Sequence, residues 1–218
     1  TGTYDQDQLL DESLPITWRH INKLAGCGAL GDLGSHLLSI SQFIMGDITK
    51  VNAVATTVFP KRPKAAGSTE MADVENEDIM TFMAEYANGA IGQIACSRVA
   101  TGRKNYLTYE IQGTKGSVRY DLERMGEVQV YFQSDNERDR GFRTVLLNPL
   151  MKGYSAFQPA AGISIAYNDM KILEVHALFD AITNGADYVT DFEFGYKIDR
   201  TVAAVIESSK THEWVDVK

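Results

Sequence analysis

Cysteine and proline are scarce in this chain, with two cysteines, Cys27 and Cys96, and five prolines in 218 residues. Two widely separated thiols cannot build a secreted disulfide framework and lack the clustered spacing of a zinc site. No metal is therefore expected, and a reducing cytoplasm fits this cysteine usage. Basic charge is also in deficit: 21 Lys plus Arg stand against 29 Asp plus Glu, a formal charge of −8. No long block of one sign breaks this balance, which argues against nucleic acid as a partner. Long apolar runs are missing as well. The stretch 37–45 is interrupted by polar residues and falls far short of the roughly 20 residues that span a bilayer, and no signal peptide opens the chain. Neither membrane insertion nor export is expected. What is present is average globular composition, 44% hydrophobic and 10% aromatic, enough at this length for a large core.

A polar lead-in carrying Trp18 and Arg19 runs into a glycine-rich segment, Gly26-Cys27-Gly28-Ala29-Leu30-Gly31-Asp32-Leu33-Gly34-Ser35-His36. Beyond it Leu37, Ile40 and Ile44 recur at helical spacing and Gly46 supplies a stop, which predicts a helix over about 29–45. The period then changes to two. Strands are expected over 48–59, 78–86, 90–99, 106–111, 117–120, 128–132 and 142–147, with Asn88-Gly89 turning a hairpin between the second and third. Residues 148–169 dissolve into Pro, Gly and Ala, too long for an idle connection and so a candidate functional loop. Two helices follow, with apolar faces Ile172, Val175, Phe179, Ile182 and Ile198, Val202, Val205, Ile206, before a short strand at Trp214. This order predicts an α+β fold: a large open, mostly antiparallel sheet with helices packed on one face. The other face, bearing Ile79, Met83 and Ile91, is apolar enough to suggest a homodimer or homotetramer formed through the sheet.

Gly26, Gly28 and Gly31 spell G-x-G-x-x-G, a pattern that seats a pyrophosphate on a helix N-terminus when a strand precedes it. Here the preceding residues are polar and no βαβ unit follows, so the glycines are read as a tight turn with close backbone approach. Asp32 and His36 carry a stronger signal. Four residues apart, they share a helix face one turn from each other, as a proton-accepting base and its orienting carboxylate would. The same spacing also serves a structural hydrogen bond or cap. A helix N-terminus favours a carboxylate over an imidazolium, which suits His36 as an acceptor. Arg98, Arg103 and Lys104 surround the Gly102 turn, where cations could hold a hydroxylated or anionic ligand or simply face solvent. His20, His176 and His212 read as structural or solvated, and Cys27 as packing.

Taken in order, Trp18-Arg19, the segment from Ala25 to His36, Glu77-Asp78, Asn88-Gly89-Ala90-Ile91-Gly92, Ser97, Gly113-Thr114-Lys115-Gly116-Ser117, Asp191-Phe192 with Gly195-Tyr196, and Trp214-Val215 resemble the landmarks of one family. They resemble the C-terminal domain of the Gfo/Idh/MocA oxidoreductases. The resemblance implies that 1–218 is a single substrate and oligomerisation domain. Its usual companion, a Rossmann domain that binds NAD or NADP and carries a Glu-Lys-Pro motif beside the substrate, is expected to be absent from this chain. Carried over, Asp32 and His36 match the family's catalytic pair, His36 accepting the substrate hydroxyl proton as hydride leaves the same carbon and Asp32 orienting its neighbours. The family's second acid, three residues after the histidine, is replaced by Ser39. Arg19, Arg98, Tyr154 and Tyr167 are substrate contacts by location. The implied function is an NAD(P)-dependent dehydrogenase of a sugar, cyclitol or related polyol, with this domain inactive alone. The alternative is a stand-alone ligand-binding or scaffold module of the same fold.

Overall fold

A computed structural model describes residues 1–151 and 153–218, which form two compact units, Thr1–Leu107 with Phe192–Lys218 and Thr108–Asp191. The strands are β1 (Gly2–Asp5), β2 (Ile48–Thr56), β3 (Lys61–Pro63), β4 (Met71–Asp73), β5 (Ile79–Tyr86), β6 (Ile91–Ser97), β7 (Tyr106–Gly113), β8 (Gly116–Asp121), β9 (Glu127–Phe132), β10 (Arg143–Leu146) and β11 (Val215–Asp216). The helices are α1 (Asn22–Ala25), α2 (Ser35–Met45), α3 (Tyr167–Asn184) and α4 (Phe192–Thr211).

In the first unit the main sheet runs β1-β6-β5-β2-β11. Its pairs are antiparallel except β1 with β6, which is parallel. The β5–β6 hairpin turns where Asn88-Gly89 predicts it: Gly89 sits at φ 84°, a conformation glycine adopts without a Cβ clash. Along β5 the pleat alternates cleanly, burying Met80, Phe82, Ala84 and Tyr86 and exposing Thr81, Met83 and Glu85. That buried face continues through Val51 and Ala53 of β2 and Ile94 and Cys96 of β6. Helix α4 packs along β2, and α2 packs on α4 and β1. Full burial of each such Val, Ile or Phe side chain contributes about 1.5–3 kcal/mol, so this layer holds the unit together. Polar seams are satisfied within it: the Ala53 amide donates to Ser208 Oγ (3.0 Å), and Gln42 Nε2 donates to Thr201 Oγ1 (3.3 Å). On the opposite face Val54, Met83 and Ile91 remain exposed.

In the second unit β7 to β10 form an antiparallel meander, as the sequence predicts. Tyr109 and Tyr120 stack across the β7–β8 pair at 5.4 Å, and burial pushes the Tyr120 phenol up to about 12. Helix α3 ends at Gly185 in the left-handed region, φ 68°. Its expected apolar face is not covered: Ile172, Val175, Phe179 and Ile182 are all at least half exposed. Helical periodicity establishes an amphipathic helix but not what lies against it. Among the described residues no helix is long and apolar enough to cross a membrane.

Two features depart from the sequence reading. The lead-in contributes β1, a parallel pairing whose partner lies far away in sequence, and residues 60–76, where no strand is expected, contain the β3–β4 hairpin. The expected helix over 29–45 is present but begins as a π-helical turn, Leu30–Gly34, before α2.

Candidate functional site

Of the two glycines that flank Cys27, Gly28 is required by a close approach of two backbones. A Cβ on Gly28 would lie 1.9 Å from the carbonyl oxygen of Glu77. At this contact the Gly28 amide donates to both carboxylate oxygens of Glu77 (3.0 and 2.9 Å), and the Leu30 amide donates to Oε1 (2.9 Å). The Ala29 amide donates to the Glu77 backbone oxygen (3.0 Å). These are the N–H groups that would seat a pyrophosphate. A carboxylate already occupies them and would repel a second anion, so the glycine segment does not fit a dinucleotide. The π turn that follows is a backbone irregularity that recurs at functional sites.

Beside this turn lies a cavity of about 220 Å³ whose walls include Trp18, Arg19, Cys27, Gly31, Asp32 and Arg98. A short 3-10 turn, Trp18–His20, supplies the first two, the π turn supplies Gly31 and Asp32, and Arg98 follows the end of β6. Two guanidinium–carboxylate pairs border it. Arg98 Nε donates to Asp78 Oδ1 at 3.0 Å, with both side chains 1% exposed. The other oxygen of Asp78 accepts from the Val58 and Phe59 amides (2.7 and 3.2 Å). Arg98 Nη2 meets no acceptor among the described residues. The second pair is looser: Arg19 Nε is 3.9 Å from Asp32 Oδ2. The Arg19 guanidinium lies 4.5 Å from the centre of the Trp18 ring, and Gln8 Nε2 donates to Asp32 at 3.4 Å. Cys27 is held as a neutral thiol, because burial, followed by the nearby Glu77 charge, pushes it up to about 11.

His36 stands one turn beyond Asp32, exposed, and is not among the residues lining the cavity. Its ring meets Tyr4 edge-on at 5.8 Å. The Asp32 carboxylate turns to Arg19 and Gln8, so the contact that orients His36 comes from the Tyr4 ring. Tyr4 in turn is tied by its hydroxyl, which donates to Asn105 Oδ1 (2.6 Å).

The other candidates separate. Arg98 is buried rather than part of a solvated strand edge, whereas Lys104 pairs with Asp7 and Arg103 lies over Tyr106. Tyr154, in a 3-10 turn, and Tyr167, the first residue of α3, belong to the second unit. His20 is 1% exposed, with Nδ1 accepting from the Thr17 amide at 3.0 Å. Burial first, then the charges of Arg98 and Arg62, hold its pKa below the ordinary 6.5. Sequence reasoning missed two supports. Arg62, fully buried, donates to the backbone oxygens of Asp11 and Leu9 and so ties down the lead-in. Glu77 caps the glycine turn; the sequence marks Glu77-Asp78 as a family landmark but gives no sign of this capping role.

Comparison with known proteins adds to this geometry. The family model described as the GFO/IDH/MocA C-terminal domain matches residues 1–119. Levoglucosan dehydrogenase from Pseudarthrobacter phenanthrenivorans is 38% identical over 227 aligned residues, covering 99% of this chain but 58% of its own length. The chain thus spans little more than half of that relative. D-apiose dehydrogenase from Rhizobium rhizogenes is 30% identical over 102 residues, covering 44% of this chain and 26% of its own length. Among solved structures, levoglucosan dehydrogenase in complex with NADH and levoglucosan superposes with a TM-score of 0.93, covering 100% of this chain and 57% of that one at 38% identity. An NAD binding oxidoreductase from Klebsiella pneumoniae gives 0.94 at the same coverage and identity.

Proposed function

This chain belongs to the Gfo/Idh/MocA oxidoreductase family, and on that premise we propose that it is the substrate-binding domain of an NAD(P)-dependent dehydrogenase acting on a sugar, cyclitol or related polyol. The observation that carries this reading is the cavity beside the Asp32 turn, where guanidinium donors and a carboxylate acceptor converge on a space suited to a small hydroxylated molecule. Relatives whose names and complexes involve levoglucosan, L-sorbose and D-apiose make levoglucosan the first compound to test.

In this reading His36, exposed in the first turn of α2, takes the proton of the substrate hydroxyl. Asp32 and Arg19 hold neighbouring hydroxyls so that the reacting carbon is presented consistently, and the edge of Tyr4 keeps the imidazole in place. The nicotinamide cofactor supplies the hydride acceptor and is bound by a dinucleotide domain outside this chain, since the glycine turn here is filled by Glu77. Tyr154 and Tyr167 are assigned to the substrate side of the second unit, and the exposed Val54, Met83 and Ile91 face to contact with a second copy of the chain.

The test is His36→Ala in the full-length dehydrogenase this reading requires. We expect kcat with levoglucosan and NAD to fall by about 10²-fold or more if the imidazole is the general base. Turnover within about twofold of the parent would remove His36 from that role.

A further inference from the structure

Of the cations around the Gly102 turn, Lys104 pairs with Asp7 and Arg103 lies over Tyr106. The turn itself is laced to the residues at the end of β1. The Ala100 amide donates to the Gln6 oxygen (2.9 Å) and the Leu9 amide to the Arg98 oxygen (3.1 Å). Asn105 Oδ1 accepts from both the Tyr4 hydroxyl (2.6 Å) and Gln6 Nε2 (3.0 Å), and Gln6 Nε2 also donates to the Tyr4 hydroxyl (3.1 Å). This triangle uses each oxygen within its capacity, since an amide carbonyl accepts two bonds and a phenol donates one and accepts one. The β1–β6 ladder fixes only the backbone of Tyr4; the triangle fixes the far end of its side chain, which is 8% exposed.

His36 depends on that ring. Neither of its nitrogens bonds to a protein group among the described residues, Asp32 being turned to Arg19 and Gln8. The common way to orient a functional imidazole is a carboxylate or carbonyl on one nitrogen, which commits that nitrogen. The Tyr4 ring, 5.8 Å away and inclined at 68°, restrains the imidazole and occupies neither. An exposed side chain otherwise exchanges rotamers freely, and a base aimed wrongly is slow. We propose that the Gly102 turn is the positioning element of this site and Asn105 its positioning residue: acting through Tyr4, it holds the His36 ring in one orientation and leaves both nitrogens available. The inference rests on the proposed reading of His36 as the general base and adds the residue that aims it. It also gives the turn a part in the site that requires no ligand contact from Arg103 or Lys104.

The experiment uses the isotope-labelled chain and follows the His36 ring signals and the Tyr4–His36 ring-proton NOEs in Asn105→Leu, Asn105→Asp and Tyr4→Phe. Asn105→Leu and Tyr4→Phe are expected to lose the NOEs and to move the His36 signals toward those of an unrestrained histidine. Asn105→Asp, whose carboxylate can accept the same two bonds, is expected to keep both. Unmoved amide signals from the β5–β6 hairpin show that the fold persists. Tyr4→Phe keeps the ring and removes only its tether, so it decides the matter alone where Asn105→Leu fails to fold. Parent-like NOEs in Tyr4→Phe overturn the proposal, as does a loss in Asn105→Asp equal to that in Asn105→Leu. The His36→Ala turnover test fails separately: NOEs lost as expected uphold the positioning even where that variant keeps its turnover, an outcome that overturns only the general-base reading.

Discussion

The two guanidinium–carboxylate pairs that border the cavity have similar chemistry and opposite settings. Arg98 and Asp78 meet at 3.0 Å with 1% of each side chain exposed, while Arg19 and Asp32 stand 3.9 Å apart with 46% and 36% exposed. The inner pair is anchored at its far end by two β2–β3 loop amides on Asp78, so its geometry is fixed by the backbone. The outer pair hangs on a 3-10 turn and a π turn, and its carboxylate is shared with Gln8. Position in the dielectric therefore divides the labour. A buried pair resists change because removing one partner strands the other, while an exposed pair can open for a ligand at little cost.

The inner pair should break most violently. Arg98→Ala strips the buried Asp78 of its ion-pair partner, leaving it two amide donors and the more distant Arg62 charge, and the expected loss is about 3–5 kcal/mol of unfolding free energy, read as a drop in the urea midpoint at pH 7.5. A loss below about 1 kcal/mol would mean that water reaches Asp78, and the contrast between the pairs would collapse.

An intermediate effect tests whether the cations behind the cavity act as a group. Because Arg98, Arg62 and burial hold His20 below its ordinary 6.5, the unfolded chain binds a proton there that the folded chain does not. Stability is thus complete above about pH 6.5 and declines as the pH falls below it. His20→Asn, whose Oδ1 can take over the acceptor role of Nδ1 toward the Thr17 amide, should flatten the fall in urea midpoint between pH 7.5 and pH 5.5. An unchanged slope would assign that fall to other groups.

The same contrast between local and distant partners explains how much could be read from the sequence. The β5–β6 hairpin is written locally in Asn88-Gly89, the β5 alternation in its period of two, and the end of α2 in Gly46. Each needs only neighbours in the chain. By contrast β1 takes its meaning from β6, the glycine turn from Glu77, and the lead-in from Arg62. None of those pairings leaves a pattern near the residue it fixes. A cation in a polar segment ordinarily faces solvent, so composition alone signals neither the role of Arg62 nor the burial of Arg98. For the candidate site, Asp32, Arg19 and Arg98 converge on one cavity. The family resemblance, not the spacing, brought Arg19 into consideration, because a 3-10 turn before a glycine segment carries no periodic signature.

The outer pair sharpens the comparison from the other side. Arg19→Gln removes a charge 3.9 Å from Asp32 and the cation over the Trp18 ring. Both contacts lie where solvent screens them, and holding a long side chain in one rotamer offsets part of their gain. The urea midpoint should therefore move by the equivalent of about 1 kcal/mol or less. Gln keeps a donor within reach of Asp32 and leaves the carboxylate hydrogen-bonded, so stability is spared twice over. A loss approaching that of Arg98→Ala would show that the Trp18–His20 turn depends on this contact. Arg19 would then be part of the scaffold, leaving Asp32 as the mobile polar group at the mouth of the cavity.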